Sequence, residues 1–319
     1  MAFSPALSVI VPCYNEAQGL AETCQRITAA CHASVGDTFE ILLVNDGSTD
    51  ETLAVMRGLG AGTPQIAVVN LSRNYGHQMA LTAGLSLCAG ERALILDADL
   101  QDPPEHLAAM MKIMDDTKAD VVYGQRTARA GESWFKRASA ALFYRLLGRL
   151  ADTTIPKDTG DFRLISRRTI DILNKMPEQS RFLRGMIGWI GLTQVAFPYE
   201  RQPRAAGVTQ YPLRKMIRFA LDAVTSFSIV PLRLASYGGA LMGVLGLALL
   251  AYVMRAWLAG ETVQGWTSLM VVVLVMGSVQ LLCLGVLGEY LGRLYIESKR
   301  RPPFIVESVT RRGDATKDV

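Results

Sequence analysis

Two apolar runs near the C-terminus constrain this chain most: Leu234 to about Trp257, and Leu269 to about Leu287. Each is long enough to cross a bilayer as a helix. A backbone in hydrocarbon must satisfy its own hydrogen bonds, so the runs predict two spanning helices joined by the turn holding Gly260, Glu261 and Gly265. The first run carries Gly238, Gly239, Gly243 and Gly246, small residues that permit close helix packing. Arg214, Lys215, Arg218 and Arg233 flank the pair on one side, and Arg293, Lys299, Arg300 and Arg301 on the other. The turn itself has no Lys or Arg, although Arg255 lies close to it. The positive-inside rule then puts both ends in the cytosol.

Half of the 319 residues are apolar, and the excess over a soluble protein is concentrated in these runs. The remainder reads as a soluble domain. A net charge of +4 gives no case for nucleic acid. Five cysteines without CxxC spacing argue against zinc and against a disulfide framework, and fit a reducing compartment. The start, MAFSPALSVIVPCYNE, passes directly into a strand without the features of a signal peptide.

In the N-terminal part, β-rich runs alternate with helical patterns. Strands are predicted at Leu7 to Val11, Phe39 to Val44, Gln65 to Leu71, Ala93 to Leu96 and from Val121 to Tyr123, with helices over Ala17 to Ala33, from near Glu51, up to Cys88 and over Pro104 to Lys118. That rhythm predicts a doubly wound, mostly parallel sheet. Polar clusters end strands one, two and four, so a crevice at that edge collects Tyr14, Glu16, Asp46, Asp97 and Asp99. In RALILDADLQDPPE an apolar strand gives way at once to Asp97 and Asp99. Two carboxylates this close repel each other unless a cation lies between them, and hard oxygen ligands suit Mg2+ or Mn2+ carrying substrate phosphates. The implied ligand is a metal-bound diphosphate.

Past Arg126 the rhythm changes. A helix is predicted over Ser133 to Leu150, core-packing in preference to lying on a membrane surface, then a short strand over Phe162 to Ile165 after the turn holding Asp158, Gly160 and Asp161, and an edge strand over Val195 to Tyr199. Arg181, Arg184, Arg201 and Arg204 bring guanidinium groups into the region before the membrane. Pro212 to Pro231 reads as an amphipathic helix lying on lipid, and the tail after Glu307 as disordered. The expected organisation is a cytosolic catalytic domain over 1–211, a juxtamembrane helix over 212–231, two spans within 232–290 (about 234–257 and 267–288) and a basic cytosolic tail over 291–319.

In this order, VPCYNE, NDGSTDET, RNYGHQMAL, DADLQDPPE, GDFRL and LGEYLGR resemble the family 2 glycosyltransferases that load a polyprenyl phosphate with a sugar. The chain looks most like the bactoprenol glucosyltransferases, and somewhat less like the dolichol-phosphate mannose synthases and the aminoarabinose transferase. The resemblance implies a GT-A fold with the two-helix membrane hairpin appended. It implies Pro12, Tyr14 and Glu16 around the base and ribose, Asp46 on the base, Asp97 on the nucleotide and metal, Asp99 as principal metal ligand, and Gln101 near the donor sugar. Arg201 and Arg204, with Arg126, match phosphate-binding arginines for the acceptor, and Asp161, with Asp158 as its rival, is the catalytic carboxylate. Relatives often have Ser-Lys-Tyr where this chain has Thr209-Gln210-Tyr211, so one expected cation is missing.

The implied reaction is inverting transfer of one hexose from UDP-glucose to undecaprenyl phosphate at the inner face of a bacterial cytoplasmic membrane. GDP-mannose or an aminoarabinose donor is the alternative within the family. A processive polysaccharide synthase would need more spans and a QxxRW-like motif, where this chain has Arg201-Gln202-Pro203-Arg204. A non-catalytic binder of nucleotide sugar would lack the metal carboxylates. The implied partners are nucleotide sugar, polyprenyl phosphate and membrane lipid, with a flippase and a second glycosyltransferase downstream; a homo-oligomer is compatible with all of this.

Overall fold

The computed structural model describes residues 5–127, 159–200, 230–260, 265–311 and 317–318. The helix expected over 133–150, all but the last two residues of the amphipathic segment over 212–231, Asp158, Arg201 and Arg204 lie outside these residues. The chain divides into two compact units, one of Met1–Gly148, Thr153–Leu213 and Pro302–Val319, the other of Arg149–Asp152 and Arg214–Arg301.

Among the described residues, the first unit is built on a nine-stranded sheet of order β7-β5-β6-β4-β1-β2-β3-β8-β9. The strands are β1 Leu7–Cys13, β2 Phe39–Asn45, β3 Ile66–Leu71, β4 Arg92–Ile95, β5 Val121–Arg126, β6 Thr159–Ser166, β7 Gln194–Tyr199, β8 Val306–Thr310 and β9 Lys317–Asp318. The centre, β3-β2-β1-β4, is parallel throughout, and only β6 and β8 run against the common direction. The mostly parallel sheet expected from the βα rhythm is therefore present, with β7 at its edge.

Every residue of β1, β2 and β3 is buried, as strands covered on both faces must be. Alternate residues feed two cores. Val9 and Val11 pack with Leu20, Cys24 and Ile27 of helix α1 (Leu20–Val35) and with Leu107 and Met110 of α4 (Leu107–Thr117), while Ile10 faces Ala80, Leu81 and Ala83 of α3 (His77–Leu87). Helix α2 (Thr52–Gly62) joins β2 to β3; beyond β6 come α5 (Arg167–Lys175) and α6 (Leu183–Ile190), whose Ile170, Leu173, Leu183 and Met186 join the second core.

Two expectations need correction. Residues 308–310, directly after Glu307, are not a disordered tail but part of β8, which pairs antiparallel with β3, Val69 opposite Val309 and Asn70 opposite Ser308. The pairing gives the β3 edge a partner for its backbone groups, which outweighs the polar composition of the segment. In the second unit the apolar helices also run longer than expected, α7 over Val230–Leu258 and α8 over Trp266–Ser298. Helical hydrogen bonding continues beyond the apolar run through Glu289 and Arg293, whose side chains pair one turn apart at 3.0 Å. By length and composition the stretches Val230–Ala256 and Val271–Ser298 can cross a membrane.

Candidate active site

The loops leaving the C-terminal ends of β1 to β4 meet at one edge of the sheet. The first two are stitched together: Asn15 takes the left-handed conformation at φ 57°, its amide donates to Ser48 Oγ at 3.1 Å, and its side-chain oxygen accepts from the Thr49 amide at 2.9 Å. The Glu16 amide donates to Thr52 Oγ1 at 2.8 Å. Pro12 is buried within β1, whereas Tyr14 is 46% exposed at the crevice. Asp46, only 3% exposed, accepts from the amides of Tyr75 and Gly76 at 2.7 and 2.9 Å. Burial pushes its carboxyl up, against the pull of those two amides. Its oxygens are thus engaged with the loop after β3, and only their remaining lone pairs face elsewhere.

Gly47 makes that arrangement possible. At φ 63° it adopts a conformation disfavoured for other residues, and a Cβ there would lie 2.4 Å from the Asn74 amide nitrogen.

The loop after β4 carries the paired carboxylates. Asp99 Oδ1 accepts from the Gln101 amide at 3.1 Å, closing a tight turn, and between them the buried Leu100 sits at φ 55°. A bulky residue in that region is strained, so the surroundings must hold it. One support is Thr23 of α1, whose hydroxyl lies 2.8 Å from the Ala98 carbonyl. Asp97 Oδ1 is shielded from solvent and has no hydrogen-bond partner among the described residues. Burial raises the Asp97 carboxyl to about 6, with Asp161, Asp102 and Asp99 adding to the rise and His77 opposing it.

Asp161 faces this pair from β6, 7% exposed. Its Oδ1 accepts from Arg184 Nε at 2.8 Å. Its Oδ2 lies 3.2 Å from each of Arg184 Nη2, Gln78 Nε2 and His77 Nε2. Burial alone would raise the Asp161 carboxyl, but the Arg184 guanidinium and the His77 bond hold it well below the usual carboxylate range. His77 also lies 3.6 Å from Asp97, and although burial opposes its charge, the two carboxylates raise its pKa. Arg126 borders the same region. At the end of β5 it lies 3.9 Å from the fully buried Asp102, which accepts from the Tyr199 hydroxyl, and a Cβ on Gly160 would come within 2.6 Å of the Arg126 guanidinium.

The structure therefore brings together Asp97, Asp99, Gln101 and Asp161 and stitches the Pro12, Tyr14, Glu16 and Asp46 loops beside them. His77, Gln78, Arg184 and Asp102 belong to the same region and were not singled out as site residues from sequence. The signal was present for the first two, because RNYGHQ is a polar cluster ending strand three just as the others end strands one, two and four. Among the described residues no three His, Cys, Asp or Glu side chains converge as a metal cage. Two carboxylates, one with a shielded oxygen that accepts no hydrogen bond and has His77 Nε2 3.6 Å away, instead fit a divalent cation that takes its other ligands from phosphate and water.

A sheet with a parallel centre and an acidic crevice beyond its strand ends, in a chain that also carries two long apolar helices, defines a membrane-associated enzyme of the GT-A type. Residues 8–173 match Glycosyl transferase family 2, and residues 230–294 match the GtrB C-terminal hairpin. The chain belongs to glycosyl transferase family 2 and is a glycosyltransferase. It is 43% identical over 301 residues to the uncharacterized glycosyltransferase YkcC of Bacillus subtilis, covering 94% of this chain and 93% of that one. It is 34% identical over 308 residues to the bactoprenol glucosyl transferase of Shigella phage SfV, covering 95% and 98%. Among solved structures, mannosyl-3-phosphoglycerate synthase from Rubrobacter xylanophilus is similar at 20% identity and a TM-score of 0.46, over 69% of this chain and 72% of that one.

Proposed function

We propose that the enzyme transfers one hexose, glucose from UDP-glucose, to undecaprenyl phosphate at the cytosolic face of a bacterial membrane, with both chain ends cytosolic. The observation that carries the proposal is the crevice itself: Asp97 with its shielded oxygen faces Asp161 in the hold of Arg184 and His77, in a chain whose C-terminal part matches the GtrB hairpin. Glucose and the lipid acceptor are supported by the nearly full-length likeness to proteins named bactoprenol glucosyl transferase.

In this reading Pro12, Tyr14, Glu16 and Asp46 border the nucleotide, and Gln101 lies near the sugar. Asp99, with Asp97, would hold Mg2+ or Mn2+. Bound there, the cation supplies stabilisation of the negative charge on the departing diphosphate. An acceptor phosphate oxygen attacks the anomeric carbon in line as the bond from that carbon to the diphosphate breaks, so the products are the inverted lipid-linked hexose and a nucleoside diphosphate. The acceptor phosphate has its second pKa near 6, so at neutral pH it arrives mostly as the dianion with little proton left to give. Asp161 then orients the acceptor through Arg184 and does not act as a base. Arg126, Arg201 and Arg204 would pair with the acceptor phosphate, as the planar fork of arginine suits; Asp158 is the rival for the carboxylate role. A flippase and a second glycosyltransferase would consume the product.

The test is incubation of the purified full-length protein with labelled UDP-glucose or GDP-mannose and a short polyprenyl phosphate. A single glucose on the lipid is the expected product. Transfer from GDP-mannose alone would move the donor to mannose, a growing polymer would make the enzyme processive, and no transfer from any donor would make it a binder.

A further inference from the structure

Helix α3 begins with two side chains that reach across to β6, and the second of them also reaches α6. Gln78 Nε2 donates to Asp161 Oδ2 at 3.2 Å, while Gln78 Oε1 accepts from the Leu183 amide at 3.0 Å. Leu183 is the first residue of α6, so its N–H is one of those that a helix leaves without a partner of its own, and Phe182 before it has no polar side chain to cap it. Gln78 caps it from another element. The next residue is Arg184, whose Nε and Nη2 bond Asp161 and whose Nη1 donates to the Thr159 carbonyl at 3.0 Å. Gln78 is therefore bonded at once to the carboxylate and to the backbone beside the guanidinium that pairs with it. His77, by contrast, meets the carboxylates of Asp161 and Asp97, at 3.2 and 3.6 Å.

The two partners dictate the residue type. A backbone N–H only donates and an ionised carboxylate only accepts, so the group between them must accept at one end and donate at the other. A carboxamide does both at every pH. A carboxyl does both only while it carries a proton, and once ionised it sets a second negative charge against Asp161. The charged and titratable groups around this position are Asp161 from β6, Arg184 from α6 and His77 on α3 itself. The start of α3 is held separately from the donor end, where Asp46 accepts from the Tyr75 and Gly76 amides, so a change at the tip of Gln78 leaves that end in place.

We propose that Gln78 is a positioning residue for the acceptor, holding Asp161 and the first turn of α6 in register so that Arg184 is aimed at the acceptor phosphate. The inference rests on the reading of Asp161 and Arg184 as the acceptor-orienting pair and adds to it the side chain that ties their two elements together.

Initial rates of the full-length protein in detergent, varied separately in UDP-glucose and in a short polyprenyl phosphate, provide the test. Gln78→Leu removes both hydrogen bonds. It should raise the acceptor KM by about three- to tenfold, the worth of about one net hydrogen bond, and leave the donor KM within about twofold of the wild type. Gln78→Glu separates positioning from packing, because its power to donate depends on pH. Taken as a ratio to the wild type at each pH, its kcat/KM for the acceptor should be near one in mild acid. The ratio should then fall to the level of Gln78→Leu or below as the new carboxyl ionises, between about pH 5 and 8 for a group raised by a neighbouring carboxylate. A wild-type acceptor KM in Gln78→Leu, equal rises in both KM values, or a Gln78→Glu ratio that stays flat from acid to alkaline pH would each overturn the inference. If Gln78→Leu does not fold, Gln78→Glu purified in mild acid carries the same test. An Asp161→Asn protein that raises the donor KM alone would instead reject the acceptor reading of the pair, and with it this inference.

Discussion

Asp161 accepts from three different side chains, and a carboxylate so placed is a poor proton acceptor. Asp161→Asn should therefore keep measurable turnover and show no recovery as pH rises. Were Asp161 the base, activity would fall by about 10²- to 10⁴-fold and return at alkaline pH. Its depressed pKa also stabilises the fold at every pH above the ordinary carboxylate range, and that contribution is lost only as pH falls toward the lowered value. Thermal melts of the wild type and Asp161→Asn should thus differ most at neutral pH and converge in acid. Asp97 has the opposite sign. With its carboxyl raised to about 6, a proton competes with any cation, so the Mg2+ or Mn2+ concentration needed for half activation should climb as pH drops through 6, and Asp99→Asn, which keeps an oxygen to close the turn with the Gln101 amide, should abolish transfer with little change in the melt. Full activity in EDTA would defeat that assignment. Asp97 and Asp99 were legible in the sequence because a buried strand ends abruptly on charge. Arg184 was visible only as one basic residue among several. Its contact with Asp161 depends on α6 folding back beside β6, and no local pattern encodes that return.

The helices and strands of the sheet centre were legible because burial on both faces leaves a continuous apolar run and because each helix has one apolar face. β8 was not. Val306, Ser308 and Thr310 alternate with Glu307 and Val309 over a stretch too short and too polar to be told from a tail, and its stability comes from β3. The loops between elements are set by contacts as close as those at Gly47. Gly47→Ala forces a Cβ into the Asn74 backbone at a positive φ, so it should destabilise the domain by about 1–3 kcal/mol. UDP binding should weaken along with it. A melt within error of the wild type would show that the loop after β3 can retreat.

For the whole molecule, the two apolar helices and their basic flanks lead to a labelling experiment. A cysteine at position 261 should react with an impermeant thiol reagent added outside the cell, and one at position 316 should not; the reverse pattern would overturn the cytosolic placement of the ends. Cys13, Cys24, Cys31 and Cys88 are buried and should give little background. The two apolar helices were the most legible feature of the chain, since length and hydropathy alone mark them, but the continuation of α8 to Ser298 was not, because its last turns are no longer apolar.

The place of β8 in the chain also imposes an order on biosynthesis. The β3 edge is complete early in translation, yet the strand that covers it follows both α7 and α8 and is made only after them. A ribosome carrying this chain therefore presents an open sheet edge until both apolar helices have been made. The polypeptide becomes a finished enzyme only after its two most apolar elements have left the ribosome.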